Sequence, residues 1–370
     1  RTTPEASPSR LAASSLHNFR SSAPPRTPLS ALKMLLLASV VAYSPPHRNS
    51  GCDCGSTDIE QPCTGTSVRH AIAQKIPTVM RFPALGSPRR TLPTVSRSPA
   101  LAPATPQVTY NYPSQITHNG KGGVQVRSRA CPELVRNRIF SERSFGVWVY
   151  EHGLGRFEDN DIVNNAWSGF QVEEGSAPIV VGNRLRGNRS AGIVVYNRGS
   201  GTYEWNDISC NGRCGVQIKS GSSPYFRHNK IHHEKQAGVL TAEDGTGVLE
   251  DNDIFDNAWS GVQTEGPSNP LLRHNRIHHN GGAGFIAYQN GSGLLEANNI
   301  YGNKKYGVQS KTGGHPTVRA NRIHDKVYGI YLTESGGGIY EDNRIHNIRG
   351  SGIFVSADCS PVLANNHGTV

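Results

Sequence analysis

Carboxylates and imidazoles recur in short clusters from residue 158 onward. The acidic segments Glu158–Asp161 and Glu250–Asp253 have the composition of a calcium site or of paired catalytic carboxylates. His232 and His278 are each followed by a second histidine, and histidine is the commonest metal ligand. Which of these groups can act together depends on the elements that position them.

Those elements follow a period of 22–23 residues. An asparagine recurs every 23 residues from Asn137 to Asn321 and continues at Asn343 and Asn365. A glycine that opens a short apolar strand keeps the same spacing, from Gly123 to Gly352. Helical repeats need more residues per unit and contain little glycine. The period therefore predicts a parallel β-helix of about eleven coils.

Alternating residues of each coil form the predicted core. The residues one and three positions after each glycine are apolar or small, as at Val147 and Val149, and alternation with period two directs both inward. A second apolar column runs from Ile139 through Leu185 to Ile345. The asparagines are predicted to form ladders at the corners, because each side-chain amide can bond to the amides of the coils above and below.

Charges of opposite sign alternate from coil to coil and account for the acidic segments. Stacked strands lie about 4.8 Å apart, so opposite charges on successive coils meet. One such column reads Glu204, Arg227, Glu250, Arg273, Glu296, Arg319 and Glu341, and a second begins Arg138, Asp161 and Arg184. We therefore expect ion pairs that set the register of the coils, and we predict no catalytic residue and no calcium site.

The histidines also form a column of equivalent positions on successive coils. Their column reads His232, Phe255, His278, Tyr301, His324 and His346. His232 and His278 are two coils apart, about 9.6 Å, which is too far for one zinc ion to bridge. The column predicts stacked rings, no metal site and no other cofactor.

The outward positions of the glycine-led strands form the predicted ligand-binding face. They carry glutamine in every second coil and mix aromatic rings with charges of both signs. The face comprises Trp148, Tyr150, Gln171, Glu173, Tyr196, Gln217, Lys219, Gln263, Glu265, Tyr288, Gln309, Lys311 and Tyr331. Such a ridge could stack sugars or hold an extended peptide. In the alternative interpretation the glutamines form structural amide ladders and the rings only cover the sheet.

Residues 1–106 differ in composition from the rest of the chain. They are rich in Pro, Ser, Thr, Ala and Arg without an apolar period, which predicts a disordered low-complexity leader. Most of the net charge of +10 belongs to this leader, and the nearly neutral repeats predict no nucleic-acid binding. The one apolar run, residues 34–42, is too short to span a bilayer. The leader could be a transit peptide, a secretory signal that starts at Met34, or an artefact, so the compartment stays open.

Residues 269–279, Asn-Pro-Leu-Leu-Arg-His-Asn-Arg-Ile-His-His, and residues 293–303 resemble the right-handed parallel β-helix repeats of the carbohydrate-binding and sugar-hydrolase type. The resemblance covers about residues 107–368 and is greatest to the repeat region of β-helix F-box proteins, with NosD-like periplasmic proteins more distant. It implies an all-β, right-handed solenoid over residues 107–370. It also implies a non-enzymatic module that recruits substrates to a ubiquitin ligase, with a polypeptide partner, in the cytoplasm or nucleus.

Pectate lyases, polygalacturonases and uronan epimerases share this architecture and act on acidic polysaccharides. Resemblance to them implies the alternative function, a secreted carbohydrate-active protein with a glycan partner. Those families place irregular catalytic Asp, Arg or His residues on a repetitive groove, and the candidates here are His152, Arg198 and Glu243 with Asp244. None of these has the partner residues that a lyase requires, so polypeptide recognition is the favoured prediction.

Overall fold

A computed structural model of the protein describes residues 109–110 and 114–369. The leader predicted over residues 1–106 lies outside the described residues. Within them the chain forms a right-handed parallel β-helix of about eleven coils, as predicted. Each coil contributes one short strand to each of three sheets, which we name A, B and C in the order in which the chain visits them.

The described strands of sheet A are Thr109–Tyr110, Glu133–Val135, Arg156–Glu158, Ile179–Val181, Thr202–Glu204, Tyr225–Arg227, Val248–Glu250, Leu271–Arg273, Leu294–Glu296, Thr317–Arg319, Ile339–Glu341 and Val362–Ala364. Those of sheet B are Gln115–Thr117, Arg138–Phe140, Asp161–Val163, Arg184–Arg186, Asp207–Ser209, Lys230–His232, Asp253–Phe255, Arg276–His278, Asn299–Tyr301, Arg322–Lys326, Arg344–Ile348 and His367–Thr369. Those of sheet C are Val124–Val126, Val147–Val149, Phe170–Val172, Ile193–Val195, Val216–Ile218, Val239–Thr241, Val262–Glu265, Phe285–Tyr288, Tyr306–Ser310, Tyr328–Leu332 and Ile353–Val355.

The core fills the space between the three sheets. The predicted inward columns are confirmed: Val147, Val149, Ile139 and Leu185 are all fully buried. Burial of an aliphatic side chain of this size contributes about 1.5–3 kcal/mol, and buried positions of this kind repeat up the stack as far as the last described coil, where Val355 is 38% exposed. The outer side chains of the sheets are left free to differ from coil to coil.

Asparagine ladders tie the corners together, as predicted. Between sheets A and B, the backbone N–H and Nδ2 of Asn137 donate to Oδ1 of Asn160 at 2.9 and 3.1 Å, and the pattern repeats up the stack. At the last step the prediction was wrong by one residue, because Asn343 donates to Asn366. Asn365 instead lies in the turn with a positive φ of 49°, a conformation that asparagine tolerates.

A second ladder lies between sheets B and C, and glutamate takes the place of asparagine in it at Glu142 and Glu234. It contains Asn165, Asn188, Asn211, Asn257, Asn280 and Asn303. Glu234 takes the place between Asn211 and Asn257, and its carboxylate accepts bonds from the backbone N–H and Nδ2 of Asn211 at 2.6 and 3.0 Å. Glu234 is only 1% exposed, and this burial raises its pKa to about 8.

The charged and histidine columns lie on the outer surface as predicted. Asp161 lies 2.8 Å from Arg184 Nε and 3.5 Å from Arg138 Nε, so its carboxylate is occupied by ion pairs. On sheet B the rings from His232 to His346 stack at centroid distances of 4.6–5.2 Å. Among the described residues no group of three or more His, Cys, Asp and Glu side chains is arranged to hold a metal ion.

No helix in the described part of the chain is long and apolar enough to cross a membrane.

Candidate functional site

The outer surface of sheet C carries the predicted ligand-binding face. Its strands pair one-to-one along the solenoid, so Gln125 neighbours Trp148, Trp148 neighbours Gln171, and Gln171 neighbours Val194. Successive glutamines are thus two coils apart with an aromatic or aliphatic side chain between them. The alternative interpretation, in which the glutamines stack on one another as amide ladders, is therefore wrong.

Two of the glutamines, Gln171 and Gln263, bond to a tyrosine of the next coil instead. Gln171 Nε2 donates to the Tyr196 hydroxyl at 3.1 Å, and that hydroxyl is hydrogen-bonded to the Glu173 carboxylate. Exposed Trp167 lies at the turn that precedes the strand of Gln171. We call Trp167, Gln171, Glu173 and Tyr196 cluster 1.

An aromatic wall of Phe145, Trp148 and Tyr150 borders cluster 1. Trp148 stacks on Tyr150 with ring centroids 4.2 Å apart, and Trp148 Nε1 donates to Glu173 Oε1 at 2.5 Å. Phe145 meets Trp167 edge-to-face at 4.9 Å. Trp167 is 52% exposed, so the wall supports a ring that solvent or a ligand can still reach.

Glu173 has unusual electrostatics for a surface position. The wall and its neighbours leave it only 6% exposed, and this desolvation raises its pKa above the usual value for a carboxyl group. Hydrogen bonds from Tyr196 and Trp148 oppose the increase, whereas the charge of Glu174 adds to it. Burial raises the pKa of Tyr196 as well, so this hydroxyl keeps its proton and donates to the carboxylate.

The same four residue types return 92 residues later. Gln263 Nε2 donates to the Tyr288 hydroxyl at 2.9 Å, and this hydroxyl donates to Glu265. Trp259, 44% exposed, precedes the strand as Trp167 does. We call Trp259, Gln263, Glu265 and Tyr288 cluster 2. The positions that correspond to the aromatic wall hold Ala237, Leu240 and Ala242, so cluster 2 has no such wall.

The remaining predicted face residues lie between or beyond the clusters. Gln217 and Lys219 lie between them, and Lys219 Nζ forms an ion pair with Glu243 Oε1 at 2.8 Å. Gln309, Lys311 and Tyr331 lie farther toward the C-terminus. Tyr331 stacks between Tyr306 and Phe354 at 4.3 and 4.7 Å.

Sequence reasoning missed the exposed tryptophan of each cluster, Trp167 and Trp259. The segment Ala-Trp-Ser-Gly occurs at residues 166–169 and again at 258–261, four coils later. This repeat was a readable signal, but it marks a turn, whereas the prediction considered only strand positions. Beside cluster 2, the loop residues Gly266, Pro267, Ser268, Asn269, Gln289, Asn290, Ser292 and His315 line a shallow surface depression.

Comparison with known proteins identifies the repeats. The family described as "Right handed beta helix region" matches residues 108–231, 180–291 and 282–367. No curated protein matches the chain in sequence. The resemblance to F-box proteins is not shown by these matches, and a polypeptide partner finds no support in them.

Among solved structures, the periplasmic alginate epimerase AlgG is similar with a TM-score of 0.53 and 10% identity, over 69% of this chain and 76% of that chain. A mutant of AlgG gives the same TM-score and coverage at 11% identity. A second mutant gives a TM-score of 0.50, again at 11% identity and with the same coverage.

Proposed function

Because this chain belongs to the right-handed β-helix family, we propose that its solenoid is a carbohydrate-binding scaffold whose binding surface is the outer face of sheet C. AlgG is named as an alginate epimerase, but a structural similarity at 10–11% identity concerns the fold alone. The proposal therefore depends on the side chains of this chain.

The observation that carries the proposal is cluster 1 with its aromatic wall. A sugar ring presents apolar C–H groups on its faces and hydroxyl groups at its rim. Trp167 offers a large, half-exposed aromatic surface. Gln171 lies on the strand that follows Trp167, and Glu173 and Tyr196 lie directly after the strands of this coil and the next. Amide, carboxylate and phenol groups together can both donate to and accept from hydroxyl groups. A small number of polar groups that converge beside aromatic rings is typical of a site for a small ligand.

The internal hydrogen bonds of cluster 1 also favour binding. Tyr196 is held by both Gln171 and Glu173, and Glu173 is held in addition by Trp148. Side chains that are already ordered lose little conformational entropy when a ligand arrives. The wall therefore contributes to affinity without having to touch the sugar.

Affinity gel electrophoresis in gels that contain soluble neutral or acidic polysaccharides tests the proposal. We expect at least one polysaccharide to retard the protein, and Trp167→Ala to weaken that retardation by about tenfold or more, because central aromatic contacts dominate binding. Trp205→Ala is the matched control. Trp205 is also exposed, at 62%, but it packs on His228 in the turn between sheets A and B.

Two results would contradict the proposal. One is unchanged mobility of the wild-type protein with every polysaccharide. The other is equal retardation of the wild-type protein and the Trp167→Ala variant, which would show that cluster 1 is not part of the binding surface.

A further inference from the structure

The two clusters are equivalent sites on one continuous face. Trp167 and Trp259 occupy the same turn position, and Gln171 and Gln263 the same strand position, four coils apart. With about 4.8 Å between successive coils, the clusters are separated by about 19 Å along the solenoid axis. The strand register between them is unbroken.

The surface between the clusters is open. Every coil from Gly169 to Gly261 has the same 23-residue length, so no inserted loop rises between the two sites. The outward residues between Gln171 and Gln263 are Val194, Gln217 and Leu240, all half-buried and uncharged. A linear chain could follow this column from one cluster to the other.

The charges at the clusters favour uncharged sugars. Each cluster has one ionisable acid, Glu173 or Glu265, and no Lys or Arg. The cation on the strand between them, Lys219, is neutralised by Glu243 at 2.8 Å. Several exposed cations near the clusters lie at the turns that precede the strands of sheet C, whereas Glu173 and Glu265 lie at the opposite ends of those strands; these cations are Arg143, Arg189, Arg213 and Lys235. A sugar acid bound at a cluster would meet a carboxylate, and like charges repel at short range.

We propose that one linear polysaccharide chain of uncharged sugars lies along the solenoid axis and contacts both clusters at once, an inference that rests on the carbohydrate-binding function proposed above. Linking two binding events through one ligand raises the overall affinity by about a hundredfold or more when the ligand spans both sites. A fragment too short to span them binds each cluster separately.

Isothermal titration calorimetry with size series of cello-, manno- and xylo-oligosaccharides tests this arrangement, with oligogalacturonates as the acidic series. Within a series that binds, we expect two short fragments to bind to each protein molecule. Fragments long enough to span the clusters should bind with a stoichiometry of one per protein and with at least about a hundredfold lower Kd. Trp259→Ala should reduce the short fragments to one per protein and abolish the gain with length. Trp205→Ala should change neither quantity.

The outcomes separate this inference from the function on which it rests. If a series binds but its stoichiometry and Kd do not change with length, bridging is overturned and carbohydrate binding stands. If oligogalacturonates bind more tightly than every neutral series, the assignment of the ligand to uncharged sugars is overturned. If no series binds at any length, the proposed function itself fails.

Discussion

Cluster 1 and cluster 2 carry the same four residue types 92 residues apart, yet their carboxylates lie in different surroundings. Glu173 is 6% exposed beside the aromatic wall, whereas Glu265 is half-buried beside Leu240 and Ala242. The residue after Glu173 is a second glutamate, and the residue after Glu265 is Gly266.

The two clusters differ in the aromatic wall but share the hydrogen-bond network. Glutamine, tyrosine and glutamate bond to one another in both clusters, so this network forms without the wall. The burial that raises the pKa of Glu173 is a feature of cluster 1. We infer that the coil repeat supplies two binding positions and that the aromatic wall desolvates the carboxylate of one of them, Glu173.

The largest expected effect comes from Glu234, whose titration must be removed before the clusters are compared by pH. Its pKa is about 8 in the folded chain and near 4.5 otherwise, so the folded state binds the proton more tightly. The free energy of unfolding should therefore fall as pH rises from about 4.5 to about 8, by on the order of 4–5 kcal/mol. Glu234→Asn, the residue of the neighbouring coils, should remove most of that fall in urea unfolding measured across this range and leave the smaller part due to Glu142 and Glu173, whose pKa values are also raised by burial. A fall of the same size in the variant would contradict the assignment to Glu234.

The two tyrosines provide the next comparison. Tyr196→Phe removes bonds to the buried Gln171 and Glu173, so it should cost about 2 kcal/mol of unfolding free energy. Tyr288→Phe should cost about 1 kcal/mol, because the partners of Tyr288 are half-buried and water can replace the hydroxyl. Urea unfolding of both variants checks the order. Equal costs would mean that the wall does not isolate cluster 1 from water.

Trp148→Leu makes the wall position of cluster 1 match Leu240 of cluster 2. Because desolvation is the main cause of the raised pKa of Glu173, we expect that pKa to move down toward the usual carboxyl value. Carbon NMR titration of the glutamate carboxyls in the Glu234→Asn background follows the change, with Glu173→Gln to assign the signal. The variant also loses the Trp148 hydrogen bond, which by itself raises this pKa, so an unchanged or higher pKa of Glu173 would contradict a dominant desolvation by the wall.

The reverse exchange has the smallest expected effect. Leu240→Trp adds a ring beside cluster 2 at a half-buried outward position, where the larger side chain can be accommodated. Binding of short oligosaccharides at cluster 2 should strengthen about twofold to tenfold, the usual contribution of one added aromatic contact. Calorimetry in the Trp167→Ala background isolates cluster 2, and weaker binding there would contradict a supporting role for the wall.

The repeat made the fold predictable from the sequence. Asn137 and its equivalents, the inward valines and the alternating charges recur at one spacing, and one-to-one register follows from that spacing. The stack from His232 to His346 was predicted in the same way. The ladder position of Glu234 could also have been found by counting 23 residues from Asn211.

The candidate site was predictable only in part. Residue spacing placed Gln171 and Glu173 on one face, but their bonds to Tyr196 depend on rotamers that spacing does not specify. Lys219 was assigned to the ligand face, yet its ammonium group bonds to Glu243. Trp167 was missed because it lies in a turn, where the apolar period of the strands gives no information.

The most direct test is a crystal structure of the protein with a bound oligosaccharide from the series that binds in calorimetry. We predict sugar rings on the outer face of sheet C, one of them packed against Trp167 and hydrogen-bonded to the polar groups of cluster 1. A ligand bound to sheet A or sheet B, with both tryptophans of the clusters left in solvent, would contradict the account.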